Sequence, residues 1–197
     1  MMNEIQDTTH DTPTRSIRKD FFAFRNGIVA DKLRSAGDPH TIIMGCLLVD
    51  IAGIASRARK AIGKDDLLAA TAQQLWDDVN SRECRLAAPM LFPPELMSRQ
   101  LALTWCQGIE STEVADNLCH KLLRHIPEST EVMNDLVNQQ NTMTKYTGYR
   151  LMQGLLRCGK LVPTPSLKAD LEAERATAQP PISSLIKDII EDLEDED

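Results

Sequence analysis

The chain has 197 residues, of which 42% are hydrophobic and only 4% are aromatic. This length suits one domain with a sizeable core, and the scarcity of aromatic residues argues against a β-sandwich or β-barrel. The formal charge of −7 is concentrated at one end: residues 165–197 carry 10 acidic and 3 basic residues, whereas residues 1–164 carry 19 of each. A neutral body lacks the overall basic excess of many nucleic-acid binders, although it is compatible with a local basic patch.

Cysteine usage and hydropathy predict the compartment. The five cysteines are odd in number and form no CxxC pair, which favours reduced thiols in a cytoplasmic protein. The sequence contains neither a signal-peptide pattern nor an apolar run of 18 residues. We therefore expect no membrane partner.

The body of the chain reads as a series of helices. Residues 1–15 are polar and Thr-rich and are predicted to form a disordered leader. From Ser16 onward apolar residues recur at steps of three and four, which is the helical period. Each predicted helix begins at a capping residue or a proline, and the eight starts are Ser16, Asp38-Pro39, Lys64-Asp65, Ser81, Pro93-Pro94, Ser111, Ser129 or Thr130, and Thr142.

Short connections between these helices predict the architecture. The first helix is expected to end at Gly37 and the eighth near Gly159, and no strand-like alternation appears. Sequential helices joined by short loops lie antiparallel, and pairs that repeat about every 40 residues are typical of HEAT-type repeats. We expect an all-α, HEAT-like α-solenoid over residues 16–162, wound as a right-handed superhelix of antiparallel helix pairs.

The C-terminal region follows a proline-rich break. Residues 163–181 are predicted to be a linker, and residues 182–197 form an amphipathic helix with one apolar face and an acidic opposite face. Two interpretations remain open for this helix. It either caps an open end of the solenoid or serves as a partner-binding helix or DNA mimic.

Metal and cofactor chemistry finds little support. A helix places Cys119 and His120 about 100° apart, so they do not chelate one ion together, and His120 and His125 miss the usual four-residue spacing. The chain contains neither GxxxxGK[ST] nor GxGxxG, the common phosphate-binding loops. The prediction is no metal site and no cofactor.

Basic residues fall into small groups on the predicted helices. In a solenoid they can line one face and contact phosphates, or they can form salt-bridged surface. The candidate DNA-contacting residues, which include one aromatic stacking candidate, are Arg82, Arg85, Lys121, Arg124, Lys145, Tyr146, Arg150 and Arg157.

An aromatic residue and a carboxylate lie close together between Trp105 and Asp116. Such a pair can stack on a base and stabilise a positive sugar at a breaking glycosidic bond. The alternative is a tryptophan in the core and an acid in the first turns of a helix. Asp116 is the candidate catalytic residue.

Three segments resemble the DNA alkylation repair family, the HEAT-like alkylpurine DNA glycosylases. They are F-R-N-G-I-V-A-D-K-L-R-S-A-G-D-P (24–39), L-W-D-D-V-N-S-R-E-C-R-L-A-A (75–88) and the W…S-T-E-V-A-D-x-L-C stretch (105–119), within a resemblance that covers about residues 16–160. The resemblance implies a concave DNA-binding face. It also implies removal of cationic N3- and N7-alkylpurines without flipping the base into a pocket, by aromatic residues and an aspartate near the sugar.

Only some of the family's functional residues have counterparts in this chain. Asp116 matches the catalytic aspartate, but the tryptophan expected four residues earlier is Thr112, and the following acid is Glu113. Around residues 143–146, where the family often has tryptophan and paired arginines, this chain has one cation, Lys145, with Tyr146 or Tyr149 as stacking candidates. A ring face attracts a cation by roughly 0.5–2 kcal/mol, so its loss predicts weak or lost excision.

Two functions are therefore compared. The first is a member of this family that binds damaged duplex DNA on a concave helical face, with excision weakened or lost. The second is a non-catalytic HEAT-repeat scaffold whose groove or acidic C-terminal helix binds a protein partner, since solenoids offer long grooves to other proteins.

Overall fold

The computed structural model describes residues 12–195 and is all-helical within that range. The predicted fold class, an all-α protein of packed helix pairs consistent with an α-solenoid, is confirmed. Residues 1–11 of the predicted leader lie outside the described residues, whereas Pro13–Arg15 already belong to the first helix.

Eleven α-helices occur in the described part of the chain. They are α1 (Pro13–Ala23), α2 (Gly27–Ser35), α3 (Leu48–Ile62), α4 (Asp65–Trp76), α5 (Arg82–Leu91), α6 (Arg99–Gln107), α7 (Thr112–Lys121), α8 (Ser129–Val137), α9 (Thr142–Arg157), α10 (Pro165–Thr177) and α11 (Ile182–Asp195).

The helices pack in two layers. Helices α1, α3, α5, α7, α9 and α11 contact one another in that order, which makes a continuous row. On this row pack α4, α8 and α10, which contact α5, α9 and α11 respectively, and α6 contacts both α8 and α9. Stacking of this kind buries the apolar stripe of each helix between its neighbours, which a single pair does not achieve.

Several predicted helix starts coincide with the observed caps. The Ser81 and Ser111 side chains accept hydrogen bonds from the backbone N–H groups of Cys84 and Val114 and so cap α5 and α7. Such a cap satisfies one of the free N–H groups in the first helical turn. The start predicted at Pro93-Pro94 is only a 3₁₀ turn, Pro94–Leu96, and α6 begins at Arg99 after the Ser98 cap.

The predicted single helix from Ser16 to Gly37 is two helices. Asn26 interrupts it, because its side chain accepts a hydrogen bond from the Val29 N–H and caps α2. The Asn26 N–H also donates to the Met44 carbonyl at 2.8 Å. This long-range bond favours the break over a continuous helix.

The helix predicted to start at Asp38-Pro39 begins only at Leu48. The segment between, residues 39–47, is not helical and forms an isolated parallel bridge between Ile42 and Ser81. The Asp38 carboxylate accepts a hydrogen bond from the His40 N–H, which closes a local turn in place of a helix cap. Asp38-Pro39 thus has the residue types of a helix start, but the segment after it bonds to the start of α5, where the Arg82 N–H donates to the Ile42 carbonyl at 3.1 Å.

A buried carboxylate fixes this non-helical segment. Glu83 is fully buried in α5 and accepts hydrogen bonds from the N–H groups of Met44, Gly45 and Cys46 at 3.0–3.3 Å. Gly45 has φ +77°, and a Cβ there would lie 2.2 Å from the Asn26 carbonyl oxygen, so only glycine fits. The carboxylate also accepts from the Arg82 guanidinium at 3.1 Å.

The predicted linker 163–181 contains a helix. Thr164 accepts a hydrogen bond from the Leu167 N–H at 3.1 Å and Pro165 stands at the first helical position, so α10 starts with a regular cap. The predicted C-terminal helix is observed as α11, which packs on α9 and α10. Among residues 12–195, none of the helices has the length and apolarity needed to cross a bilayer.

Replacing Glu83 by alanine should strongly destabilise the protein. The substitution leaves three backbone N–H groups without their acceptor and removes one of the two carboxylates paired with the buried Arg82 guanidinium, which costs about 3–5 kcal/mol. Urea unfolding followed by circular dichroism measures this loss. Glu95→Ala, at an exposed position, is the control and should stay within about 0.5 kcal/mol of wild type. Equal stability of the two variants would contradict the assigned role of Glu83.

Candidate active site around Asp116

Asp116 lies in the middle of α7 and faces α9. Its Oδ1 atom accepts a hydrogen bond from the Tyr146 hydroxyl at 2.9 Å and lies 3.1 Å from Arg150 Nε. The Ser111 cap starts α7 at Thr112 and so sets the position of Asp116 one turn further on. The structure therefore brings three of the sequence-predicted residues together at the contact between two neighbouring helices of one layer.

The carboxyl of Asp116 is partly buried and is held by two donors. Burial raises its pKa above the ordinary value, and the charge of Arg150 and the hydrogen bond from Tyr146 partly offset this effect. Burial and the neighbouring Asp116 carboxylate raise the pKa of Tyr146, so the phenol remains a hydrogen-bond donor. A carboxylate fixed in this way is suited to stabilise positive charge that develops on a substrate.

Asp116 forms one wall of a cleft with a volume of about 180 Å³. The other lining residues are Cys119, His120, Arg124, Arg150, Gln153, Gly154 and Arg157. Burial and the charges of Arg124 and Lys121 lower the pKa of His120. The cleft thus combines one carboxylate with three guanidinium groups, which suits a ligand that carries phosphate.

A polar stripe on α9 supplies three of the eight residues that line this cleft. Tyr146, Arg150, Gln153 and Arg157 follow at steps of four, three and four residues, so they share one face of the helix. Sequence reasoning named the tyrosine and the two arginines but missed Gln153. The same helical spacing would have identified it as a polar residue on the face that carries the other three.

Arg82 and Arg85 lie away from this cleft and are each only 3% exposed. Arg82 donates to Glu113 at 2.7 and 2.5 Å and also to Glu83. Arg85 donates to the carbonyl oxygens of Trp76 and Gly108, and its guanidinium lies 3.7 Å from the centre of the Trp76 ring. Both side chains stabilise the core and have no guanidinium exposed for contact with DNA.

The tryptophan of the candidate pair belongs to the core. Trp105 is 1% exposed and stacks on Trp76 with 4.3 Å between ring centroids, and its indole N–H donates to Gln73. Tyr146 and Tyr149 are each only 7% exposed. These three rings are therefore not available as stacking surfaces for a base, and Tyr146 acts through its hydroxyl.

The position at which the family has a tryptophan is occupied by Thr112 and is exposed to solvent. Thr112 is exposed at the first residue of α7, and it lines a separate cavity of about 540 Å³ together with Asp38, Glu110 and Glu113. Glu113 binds Arg82, so its carboxylate serves the core as well. This cavity leaves space beside α7 for a larger side chain at position 112, but three of its lining residues are acidic.

The remaining predicted cations differ in their surroundings. Lys121 is exposed at the end of α7, and the backbone carbonyl of Arg124 accepts a hydrogen bond from Lys160. Lys145 lies 2.5 Å from Glu174 on α10, and Arg157 forms a two-bond pair with Asp192 on α11. The last two cations are thus already neutralised by helices near the C-terminus.

The fold and the cleft together define an all-helical protein of packed helix pairs with a half-buried carboxylate in an arginine-lined groove. A family model described as DNA alkylation repair enzyme matches residues 17–160. The chain therefore belongs to the DNA alkylation repair family, as the sequence resemblance predicted. Neither the curated proteins nor the solved structures contain a significant match.

Arg150→Met should raise the pKa of the Asp116 carboxyl further, because Arg150 is the main partner that favours its charged form. Tyr146→Phe should raise it as well, but by less. A carbon-detected NMR titration of aspartate carboxyl groups measures both shifts. Asp135, whose pKa is lowered by Arg99, is the internal control and should not move. An unchanged Asp116 pKa in Arg150→Met would contradict the pairing.

Proposed function

We propose that this protein binds duplex DNA that carries alkylated purines, with the Asp116 cleft facing the backbone of the damaged strand. The observation that carries the proposal is the half-buried Asp116 carboxylate set among Arg124, Arg150 and Arg157. Arginines contact phosphates, whereas a fixed carboxylate favours the cationic sugar and base of an alkylated nucleotide. Family membership supports DNA as the partner in general.

We infer that excision is weak or lost in this chain. The residue one turn before Asp116 is Thr112, and Trp105, Tyr146 and Tyr149 are buried. The cleft thus offers a carboxylate and guanidinium groups, but within residues 12–195 no exposed tryptophan, tyrosine or phenylalanine lines it. A ring face is worth roughly 0.5–2 kcal/mol to a bound cation, which corresponds to about 2- to 30-fold in rate.

We also propose a cytoplasmic location, where thiols stay reduced. All five cysteines are free, and Cys46, Cys84, Cys106 and Cys119 are buried.

A protein-binding scaffold is the second candidate, and the cavity beside Thr112 favours it. Asp38, Glu110 and Glu113 line that cavity. An acidic wall repels phosphate and attracts a basic peptide, so a partner there would be a protein segment rich in lysine or arginine.

Phosphate contacts should appear as salt-dependent duplex binding. Replacing Lys121 and Arg124 together by glutamine should weaken binding and reduce the salt slope by about 0.9 for each lost contact. Fluorescence anisotropy with a labelled duplex measures both quantities. Lys32→Gln/Lys60→Gln changes the net charge equally at exposed positions of α2 and α3 and is the control. Equal losses in both double variants would contradict a local site, and absence of duplex binding would favour the scaffold.

Thr112→Trp should increase the release of 7-methylguanine from methylated duplex by about 2- to 30-fold, because it restores a ring one turn before Asp116. Adding Asp116→Asn to this variant should abolish the gain, since the carboxylate is lost. Thr104→Trp, on an exposed part of α6, is the matched control and should not change release. If the two tryptophan variants release equal amounts, the proposed role of position 112 is wrong.

A further inference from the structure

Helices α10 and α11 form a C-terminal hairpin (Pro165–Asp195) that lies beyond the family-matched residues 17–160. Its two helices pack on each other, and α11 also packs on α9. Six apolar side chains of α11 are buried, namely Ile182, Leu185, Ile186, Ile189, Ile190 and Leu193. Burial of about 1.5–3 kcal/mol for each such side chain makes the docking of α11 stable.

The docked helix places a carboxylate on the cleft. Asp192 accepts two hydrogen bonds from Arg157, from Nε at 2.9 Å and from Nη2 at 3.0 Å, and a third from Gln153 Nε2 at 2.8 Å. Both donors line the Asp116 cleft. The hydrogen bond from Arg157 lowers the pKa of Asp192. A carboxylate bound side-on to a guanidinium occupies the position that a phosphate oxygen pair would take.

The other helix of the hairpin neutralises a second cation of α9. Glu174 of α10 lies 2.5 Å from Lys145 Nζ. Burial, followed by the charges of Glu174 and Asp170, raises the pKa of Tyr149 to about 12. Two acids from two different helices therefore pair with two of the cations that the sequence predicts as DNA contacts.

We propose that the C-terminal hairpin is a built-in competitor for the DNA backbone, with the Glu174 and Asp192 carboxylates standing where phosphates would bind. The proposal rests on the proposed duplex-binding function of the Asp116 cleft. The competition requires displacement of two surface carboxylates only, because the buried apolar face of α11 keeps the helix docked. The hairpin thus sets the affinity and salt dependence of the cleft for polyanions.

The hairpin contains its own charge-matched control. Glu191 and Glu194 also form ion pairs, but with Lys187 and Lys168 of the hairpin itself, at 3.0 and 2.8 Å. Removing those two charges changes the net charge as much as removing Glu174 and Asp192. It leaves the pairs with Lys145 and Arg157 intact, so the comparison separates local competition from general repulsion of DNA.

The test compares Glu174→Gln/Asp192→Asn with Glu191→Gln/Glu194→Gln in the full chain, by anisotropy with a labelled duplex at several salt concentrations. Each of these partly exposed ion pairs is worth a factor of about 1.4 to 5, so freeing both cations should tighten binding about 2- to 25-fold. The salt slope should steepen by up to about two. Both amides keep the shape of the acids, and thermal melting of each variant verifies the fold.

The outcomes are distinct. Tighter and more salt-dependent binding in the Glu174/Asp192 variant alone supports the competition, including the case in which wild type binds too weakly to detect. Equal tightening in both variants, or no change relative to a wild type that binds, overturns the competition and leaves duplex binding standing. Failure of wild type and both variants to bind the duplex overturns the competition and the proposed function together.

Discussion

Buried charge pairing between α5 and its neighbours is the interaction on which the rest of the molecule depends. Glu83 accepts hydrogen bonds from three backbone N–H groups in the segment before α3. Arg82 donates hydrogen bonds both to Glu83 and to Glu113, which lies in the first turn of α7. An unpaired charge at this depth is costly, so the three groups must stay together. The position of α7, and with it the direction of Asp116 three residues beyond Glu113, follows from this network.

A second constraint holds the opposite wall of the cleft. Gly148 lies on the side of α9 away from the polar stripe, and a Cβ there would be 2.7 Å from the Val137 backbone nitrogen. The missing side chain lets α8 and α9 pack closely. Tyr146 and Arg150 are then turned toward α7, while Arg157, two turns further on, meets α11. The site is thus a product of helix packing and not of a loop.

Local sequence signals predicted the features that depend on neighbours in the chain. The helix starts predicted at Ser81 and Ser111 match the observed caps of α5 and α7. The apolar period of residues 182–193 likewise predicted the helix that is observed as α11. The break before Asn26 and the late start of α3 depend on partners in other segments, so periodicity alone missed them. The stretch from Trp105 to Asp116 and the family resemblance both predicted Asp116, whereas burial of Arg82 and Arg85 and the approach of Asp192 arise only from tertiary packing.

The most direct measurement of whether the Asp116 cleft contacts DNA uses the one exposed cysteine of the chain, Cys158, next to Arg157. The other four thiols are buried and, as such, unreactive, so a photo-crosslinker attaches at this position alone. If the cleft contacts DNA, Cys158 should crosslink to a bound methylated duplex, whereas a Ser35→Cys/Cys158→Ser variant, labelled at the exposed end of α2, should not. Crosslinking from Ser35→Cys and none from Cys158 would contradict DNA contact at the Asp116 cleft.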